Sequence, residues 1–555
     1  FNEAAMNVTR ENMAEAAAQI EALLPSAAFV AFDEEMTGIS VQGQAEQIQD
    51  LPSRRYTKMR NVASRYSIIQ FGICLFHEEE NGSGYLARPY NFYLFPESGA
   101  VLMEGSSICF LRDHKMDFNK WIYEGIPFVN KEGARRLHSS LLPESTGQNG
   151  SGGGEKRTPM VLSKKSDIEL TDKAIAGVRE WLADEKRKEE TEYEVLTTNP
   201  FLRRFLYESV AANFPELMAE SRPVPGVKGR SAFVVLRLSA EQKAEREAKA
   251  RAEKEKEYAQ KIGFLRVFKA LSEAKKPLIG HNCMYDLLFM MSHFEAPLPK
   301  SYETFREVLQ NRFPLLLDTK LLATREPFKF KPLAPGGPPE EGKPAPQREQ
   351  RFGSTALGEL FKVLQEEASG AKEAGGVPAV EVRFAPAFDR YALDASAAHE
   401  AGYDAYMTGY VFAQMAKEAL RPERVAALGN RTPMFRSLFD FNLAGGDESK
   451  IHSGAYVHVS GLTGWDVAKT REVFAEIKAP GGTAPASVQI FWIDDDSAFF
   501  VLPTECSEAL AAKLERSRTE SGLTLTPGEE WFAEQAQSDV WGAEEAAAEG
   551  APPAK

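Results

Sequence analysis

The sequence has few cysteines, no long apolar run and no excess of positive charge. Its four cysteines are scattered without metal-ligand spacing, which favours a reduced, intracellular protein. No apolar run reaches the roughly 18 residues that a membrane-spanning helix needs, so we expect no contact with a membrane. The net charge of -14 does not indicate a general nucleic-acid binder, although it leaves room for a local basic groove.

An apolar run that ends in acidic residues stands near the beginning of the chain. Residues 29–38 read FVAFDEEMTG, the pattern of a buried strand that passes into a loop. Because alternate residues on a strand share a face, Asp33 and Glu35 project together and Glu34 points away. Two such carboxylates repel each other unless a cation lies between them, and Mg²⁺ or Mn²⁺ prefers oxygen ligands. The pattern is short, and a solvated acidic turn fits it as well.

Three further candidate groups lie in two later segments. Asp286 follows Gly-His-Asn and opens an apolar helix, where the helix dipole favours an anion. His399 and Asp404 are five positions apart, roughly 140° on one helix, so they cannot share a helical face. We therefore expect Gly402 to let His399 lie in a loop while Asp404 begins the helix. A helix cap at Asp286 and a structural histidine at position 399 stay open when each is taken alone, but four carboxylates with one histidine make up a two-metal phosphodiesterase site.

This set of residues resembles that of the DEDD exonucleases, in the variant that adds a histidine. Longer segments resemble the poly(A)-specific ribonucleases, the family of mRNA deadenylases, over roughly residues 7–515. The segments that carry this resemblance are 32–40, 91–96, 116–120, 280–286, 316–323, 399–406 and 490–499.

The resemblance implies an α/β fold. The expected architecture is a ribonuclease H-like nuclease core of a mixed sheet with helices, an inserted small α/β nucleic-acid-binding domain, and a C-terminal α/β domain like an RNA-recognition motif. The insertion explains the 253 positions between Asp33 and Asp286, and a Gly/Ser-rich linker at 144–154 precedes it. The predicted boundaries are a first nuclease segment at 1–155, the insert at 156–240, a second nuclease segment at 241–430, the C-terminal domain at 440–517, and an acidic, disordered tail at 518–555.

The same resemblance implies the chemistry. Asp33, Glu35, Asp286 and Asp404 would hold two Mg²⁺ ions, for which Mn²⁺ can substitute, and His399 would take the proton of the attacking water. The expected activity is 3′-to-5′ exonucleolytic shortening of single-stranded poly(A) RNA, with release of 5′-AMP.

The resemblance also assigns contacts to RNA and to the mRNA 5′ end. Met36, Ile39, Asn282 and Lys320 would line the RNA path, although a surface lysine explains Lys320 equally well. Trp492 would stack on the 7-methylguanosine cap, and partial burial in the core is the alternative. The insert is named in this family for an Arg-x-x-x-His pattern. Here Arg203 matches the arginine, but Tyr207 stands at the position of the histidine.

Two other functions stay open. One is a trimmer of small non-coding RNA 3′ ends with the same chemistry, and the other is a catalytically silent RNA-binding scaffold on a nuclease fold. The filled chemical positions argue against the scaffold. By resemblance we expect a homodimer that resides in the nucleus and the cytoplasm.

Overall fold

The structure is a computed structural model that forms two compact units. One unit comprises Phe1–Phe128 with Phe264–Lys555, and the other is Val129–Gly263. No helix in the described stretches of the chain is long and apolar enough to cross a bilayer. The structure describes residues 6–80, 82, 84–143, 162, 164–195, 200–224, 231–331, 349–373, 380–393, 398–418, 427–446, 455–479 and 484–535.

The first unit begins with four strands and four helices. The strands are β1 (Asn7–Val8), β2 (Phe29–Met36), β3 (Ile68–Glu78) and β4 (Gly84–Tyr93). The helices are α1 (Met13–Leu23), α2 (Pro52–Ala63), α3 (Gly105–Asp113) and α4 (Phe118–Glu124).

The described part of the second unit contains four α-helices and a three-stranded antiparallel sheet, in which the last strand is central. Its elements are α5 (Lys131–Leu141), α6 (Lys165–Ala183), β5 (Glu192–Val195), α7 (Pro200–Asn213), β6 (Met218–Pro223), β7 (Ser231–Leu236) and α8 (Ala240–Ile262). The unit extends beyond the predicted boundaries of 156 and 240 because α5 packs against α8, where the His138 and Tyr258 rings lie 5.4 Å apart. The charged helix α8 therefore belongs to this unit.

The first unit then resumes. Its central region contains α9 (Leu265–Ala274), β8 (Leu278–Gly280), α10 (Met284–Met290), α11 (Tyr302–Arg312), β9 (Leu316–Asp318), α12 (Thr319–Ala323), α13 (Leu357–Glu373), β10 (Glu381–Phe384), α14 (Arg390–Leu393), α15 (Ala401–Glu418), β11 (Arg431–Pro433) and β12 (Asp440–Asn442).

A seven-stranded mixed sheet forms the core of this unit. Its order is β1-β4-β3-β2-β8-β9, and β10 also pairs with β4. Strand β2 lies between antiparallel β3 and parallel β8, so its apolar run 29–32 is buried on both faces. The predicted α/β fold is confirmed, and the acidic end of β2 emerges where the apolar run stops.

Helix α15 crosses the sheet at very short range because glycine lies at the contact. A methyl group at Gly72 on β3 would lie 1.9 Å from the Ala401 carbonyl oxygen, and one at Gly409 would lie 2.1 Å from the Phe76 ring. Gly72 is the cross-strand partner of Asp33. The beginning of α15 is thus held directly over the acidic end of β2.

The C-terminal region of the first unit is a five-stranded antiparallel sheet with two helices on one face. Its strand order is β14-β15-β13-β17-β16, and its elements follow one another along the chain as β-α-β-β-α-β-β. Its elements are β13 (Ala455–Ser460), α16 (Val467–Glu472), β14 (Gln489–Trp492), β15 (Ser497–Leu502), α17 (Ser507–Arg516), β16 (Thr519–Glu520), β17 (Leu523–Pro527) and a helix at 528–535.

The predicted disordered tail is wrong for residues 518–535. Leu523 and Leu525 alternate into the core as members of β17, and Trp531 and Phe532 pack on the other face of the sheet. The acidic composition of this segment concealed its apolar alternation. The remainder of the predicted tail, 536–555, lies outside the described residues.

Candidate active site

The end of β2 presents two carboxylates on one face and a third on the other. Asp33 and Glu35 are half-buried, whereas Glu34 is almost fully buried on the opposite face, as the strand period predicts. Among the described residues, neither carboxylate oxygen of Glu34 has a hydrogen-bond partner. The backbone N–H of Glu34 donates to Asp286 Oδ1 at 3.1 Å, which joins β2 to the next acidic group.

Asp286 lies in the first turn of α10, as predicted, and a second aspartate supports it. The Asp318 carboxylate accepts hydrogen bonds from the backbone N–H groups of Cys283 at 3.0 Å and Lys320 at 3.0 Å. Asp318 is fully buried. It therefore holds the loop before α10 against the beginning of α12, which is a structural role.

Two side chains of the sheet hold the beginning of α15. Gln70 Oε1 accepts from the Ala401 N–H at 3.3 Å, and Asn91 Oδ1 accepts from the Gly402 N–H at 3.2 Å. These bonds satisfy backbone donors that a helix leaves open at its N-terminus, and they fix Asp404 one turn further along. The sequence analysis missed the role of Gln70, although a polar residue inside the apolar strand YSIIQFGICLF was a signal for it.

His399 lies in a turn before α15, as predicted, but the backbone reason differs. The left-handed residue is His399 itself, with φ of +71°, and not Gly402. Gly402 is needed for space, because a methyl group there would lie 2.8 Å from the Asn91 side chain. The His399 N–H donates to Asp404 Oδ1 at 3.3 Å, so the turn joins the two predicted groups.

A second histidine, which the sequence analysis missed, packs on His399. The ring centroids of His114 and His399 lie 4.0 Å apart, and the Phe110 ring lies 5.0 Å from His399. His114 Nδ1 lies 2.8 Å from the Phe110 carbonyl oxygen, at the end of α3. Nothing in the spacing of these residues placed α3 beside α15.

The carboxylates lie close enough to raise each other's pKa. Burial, followed by the charges of Asp404, Asp286 and Glu35, raises the pKa of Asp33 well above its usual range. Burial, followed by Asp404 and Asp286, does the same to the pKa of Glu35. Burial also raises the pKa of Asp286 and of Asp404 to about 7. The four predicted acids thus form one electrostatic group.

Such a group fits divalent cations. One ligand atom each from Glu35, His399 and Asp404 lies within 4.8 Å of the others, a separation that one metal ion can bridge. Asp33 and Asp286 lie outside that set of three but interact electrostatically with its carboxylates. Clustered oxygen donors with raised pKa values suit Mg²⁺ or Mn²⁺, because a bound cation removes the repulsion that raises them.

Comparison with known proteins identifies the class of enzyme. The model of the CAF1 family ribonucleases matches residues 8–412, well over half of the chain. This chain belongs to the CAF1 ribonuclease family. The predicted ribonuclease is therefore confirmed, and the matched range begins and ends in the unit that contains the carboxylates.

Individual relatives cover most of the chain. It is 28% identical to poly(A)-specific ribonuclease PARN of Xenopus laevis over an alignment of 524 residues. That alignment covers 90% of this chain and 77% of the Xenopus laevis protein. It is 26% identical to the pre-piRNA 3′-exonuclease trimmer of Bombyx mori over an alignment of 416 residues. That alignment covers 74% of this chain and 71% of the Bombyx mori protein. The Mg²⁺- and Mn²⁺-bound structure of S. pombe Pop2p aligns at 14% identity and a TM-score of 0.33, over 75% of this chain and 92% of that one.

In this CAF1 ribonuclease, the residues predicted to line the RNA path surround the carboxylates in sequence and differ in exposure. Met36 ends β2, and Ile39, three residues further, is 53% exposed. Asn282 has φ of +57° in the loop before α10. The Lys320 ammonium lies 5.7 Å from the centre of the Phe435 ring, a neighbour that the sequence did not indicate.

The two predicted accessory sites are partly packed. Trp492 lies on the edge strand β14 and packs against the core of the C-terminal sheet while remaining half-exposed. Tyr207, at the place of the family's histidine, packs edge-on against Phe233 at 4.9 Å inside the second unit. The aromatic ring of Tyr207 therefore has a structural explanation, whereas Trp492 keeps a free portion of its surface.

Proposed function

We propose that this ribonuclease removes adenosine nucleotides stepwise from the 3′ end of mRNA poly(A) tails and releases 5′-AMP. The observation that carries the proposal is the single electrostatic group formed by Asp33, Glu35, Asp286 and Asp404, with His399 beside it. The names of the relatives support the substrate, since several are poly(A)-specific ribonucleases.

The proposed mechanism assigns the four carboxylates to hold two Mg²⁺ ions. When bound, these ions supply the Lewis acidity that activates water and stabilises charge on the phosphoryl group and on the leaving 3′-oxygen. His399 takes the proton of the attacking water on a ring nitrogen. Burial, and after it His114, lowers the pKa of His399, which keeps the imidazole neutral and able to accept a proton near pH 7.

The substrate strand is held by apolar contact and by one cation. Met36 and Ile39 offer apolar surface to bases, Asn282 offers an amide beside the carboxylates, and Lys320 offers a charge to a phosphate. This combination suits single-stranded RNA, whose unpaired bases stack and whose backbone is anionic. Release of one nucleotide then lets the next 3′ end enter the same contacts.

Cap binding and dimerisation belong to the same proposal. The half-exposed Trp492 indole can stack on the cationic 7-methylguanine base, because an electron-rich ring attracts a cation. A cap analogue should quench Trp492 fluorescence, and a Trp492→Leu variant should abolish this response. Sedimentation should show a homodimer.

The test is a time course on 5′-labelled RNA that ends in an A-tract, with Mg²⁺, beside an Asp33→Ala variant and an RNA that ends in U. A ladder that shortens from the 3′ end, stops in the variant and slows on U supports the proposal. RNA binding without shortening by the intact protein would favour a silent scaffold instead.

A second candidate is a trimmer of small non-coding RNAs, which the similarity to the Bombyx mori trimmer favours. The chemistry is the same, so only the substrate distinguishes the two. Equal shortening of A-rich and mixed 3′ extensions would support the trimmer and contradict poly(A) selectivity.

A further inference from the structure

A cavity of about 560 Å³ lies in the first unit, beside the candidate active site. Its walls come from loop 46–49, Arg55 on α2, the Phe435–Arg436 segment after β11, and residues 493–494 after β14. This volume is in the range of pockets that enclose small organic ligands, and no step of the mechanism above uses it.

Arg55 builds the wall of the cavity. Its side chain is only 2% exposed and donates to Glu46 at 2.7 Å, to Asp50 at 3.2 Å and to the Phe435 carbonyl at 3.1 Å. A buried guanidinium that joins three segments fixes their relative positions, because each bond is charge-assisted or would otherwise leave a buried polar group unpaired. The hydrogen bonds of Arg55 therefore hold the wall of the cavity in a fixed geometry.

Two connections place the cavity next to the catalytic carboxylates. The Tyr285 hydroxyl donates to Glu46 Oε1 at 2.6 Å, and Tyr285 directly precedes Asp286. On the other side, the Lys320 ammonium lies 5.7 Å from the centre of the Phe435 ring. A strand bound at Asp286 and Lys320 would therefore meet the Phe435 ring as it leaves the active site.

The lining of the cavity places an aromatic face beside one cation, Arg436, and the Lys320 ammonium approaches the same ring from outside the lining. Phe435 is 53% exposed, and the Arg436 guanidinium lies 5.3 Å from the centre of its ring. Among the described residues, none forms a hydrogen bond or ion pair with the Arg436 side chain. The amides of Gln47 and Gln49 also line the cavity and can both donate to and accept from the edge of a base.

We propose that this cavity binds a nucleotide of the RNA strand upstream of the scissile bond. Its base stacks on Phe435, and its phosphate lies between Lys320 and Arg436. An exposed ring with flanking cations is the arrangement that holds single-stranded RNA without strict sequence readout. The proposal rests on the ribonuclease function proposed above and adds an upstream contact to it, so the grip on RNA extends beyond the terminal nucleotides.

The experiment compares Phe435→Ala and Phe435→Trp with the unaltered chain on a trinucleotide and on a twenty-nucleotide A-tract. We expect Phe435→Ala to raise KM about tenfold on the long strand, which corresponds to about 1.4 kcal/mol, and to leave kcat and the trinucleotide unchanged. Phe435→Trp should restore KM. The control Tyr123→Ala, which removes a ring that is 76% exposed on α4, should change neither substrate.

Three results would overturn the proposal. They are an equal change on both substrates, a fall in kcat alone, and a loss of cap-analogue affinity without a loss of A-tract affinity. Binding of the A-tract is also measured by anisotropy in an Asp33→Asn background, where we expect turnover to be slower by about 10³-fold or more. If the intact chain shortens no RNA, the proposed function fails, while this binding measurement still decides whether Phe435 contacts the strand.

Discussion

The acidic end of β2 and the outer face of the C-terminal sheet both carry side chains suited to RNA, but Asp33 and Glu35 stay partly exposed at the first, whereas aromatic rings of the chain pack over the second. At β2, burial, followed by the charges of the neighbouring acids, raises the pKa of Asp33 and of Glu35. On the C-terminal sheet, Phe499 stacks on Phe532 at 5.5 Å, and His458 stacks on Trp531 at 5.2 Å.

The two surfaces differ in whether a ligand can reach them: the end of β2 is partly exposed, and the outer face of the C-terminal sheet is occupied by the chain. An RNA-recognition motif binds bases on its sheet face through aromatic residues, and here the chain itself covers Tyr456, His458 and Phe499 on that face. Burial and repulsion among the acids favour the first surface as a ligand site, whereas the rings packed on the second surface form a structural contact. Five predictions test this contrast.

The largest effect should come from Asp33→Asn, which keeps the shape of the side chain and removes its charge. We expect activity to fall by about 10³-fold or more, because electrostatic stabilisation at a metal is worth several kcal/mol and about 1.4 kcal/mol is tenfold in rate. We expect the melting temperature without metal to rise, since one repulsive charge is gone. Asp172→Asn, at an exposed acid of α6, is the matched control. A stable but fully active Asp33→Asn variant would contradict the site.

Opening the covered sheet face should act on stability and leave catalysis intact. A Trp531→Ala, Phe532→Ala double variant should lower the free energy of unfolding by about 2–4 kcal/mol, because it removes two partly buried rings. We expect kcat and KM on an A-tract to change less than twofold. Glu534→Ala, at an exposed position of the same helix, is the control for calorimetric melting. A large loss of activity would mean that this face serves catalysis.

The raised pKa values predict how pH acts on the metal-free protein. The pKa of Asp286 and of Asp404 is about 7, above the usual carboxyl value near 4, so the folded state binds these protons more tightly than the unfolded state. Their contribution to stability is present at pH 4 and is lost as pH rises to about 7, by about 1.4 kcal/mol per pH unit and group.

Melting curves with a chelator should therefore show falling stability from pH 5 to pH 7, and Mg²⁺ should reverse the fall. Asp404→Asn should have the shallower pH dependence of the two proteins, because one titrating group is absent. An identical pH dependence in both would show that Asp404 does not carry the raised pKa.

Glu34 lies at the same strand end and tests whether a buried acid there affects stability without taking part in the reaction. Its carboxylate is buried without a hydrogen-bond partner, and burial, followed by Asp286 and Asp33, raises its pKa well above the usual range. Glu34→Met should stabilise the protein by about 1–2 kcal/mol at pH 8, since an apolar side chain needs no partner. Chemical denaturation measures the change, and an unaltered kcat would show that this acid takes no part in the reaction.

The sequence was sufficient wherever a local rule decided the geometry. The strand period placed Asp33 and Glu35 on one face and Glu34 on the other, and a helix beginning placed Asp286. The meeting of these groups with Asp404 depends on Gly72 and Gln70, which act across the sheet and have no local pattern. The expectation that these groups lie together came from the resemblance to a family and not from the spacing of the residues.

Composition misled where short apolar patterns lie inside charged segments. Acidic residues after 517 concealed β17 and the rings of Trp531 and Phe532, and a linker-like stretch concealed the contact of α5 with α8. The contacts of Phe435 with Lys320 and of His114 with His399 join distant segments, so only the folded chain reveals them.

The smallest predicted effect concerns His114, the second histidine of the open site. Burial is the larger cause and His114 the smaller cause of the lowered pKa of His399. His114→Gln should therefore raise the pKa of His399, and a base that must be neutral then loses activity on the acidic side first. We expect kcat at pH 6 to fall about threefold and kcat at pH 8 to be nearly unchanged, which matches the roughly 0.5–1 kcal/mol of a ring contact.

The measurement is the pH profile of kcat for the His114→Gln variant and the intact chain, with His138→Gln, on helix α5 of the second unit, as the control. A parallel drop at every pH would mean that His114 only supports the fold of α3. A shift of the acidic limb towards higher pH would show that it tunes the base, and would extend the contrast with the C-terminal sheet, where the stacked His458 ring serves packing alone.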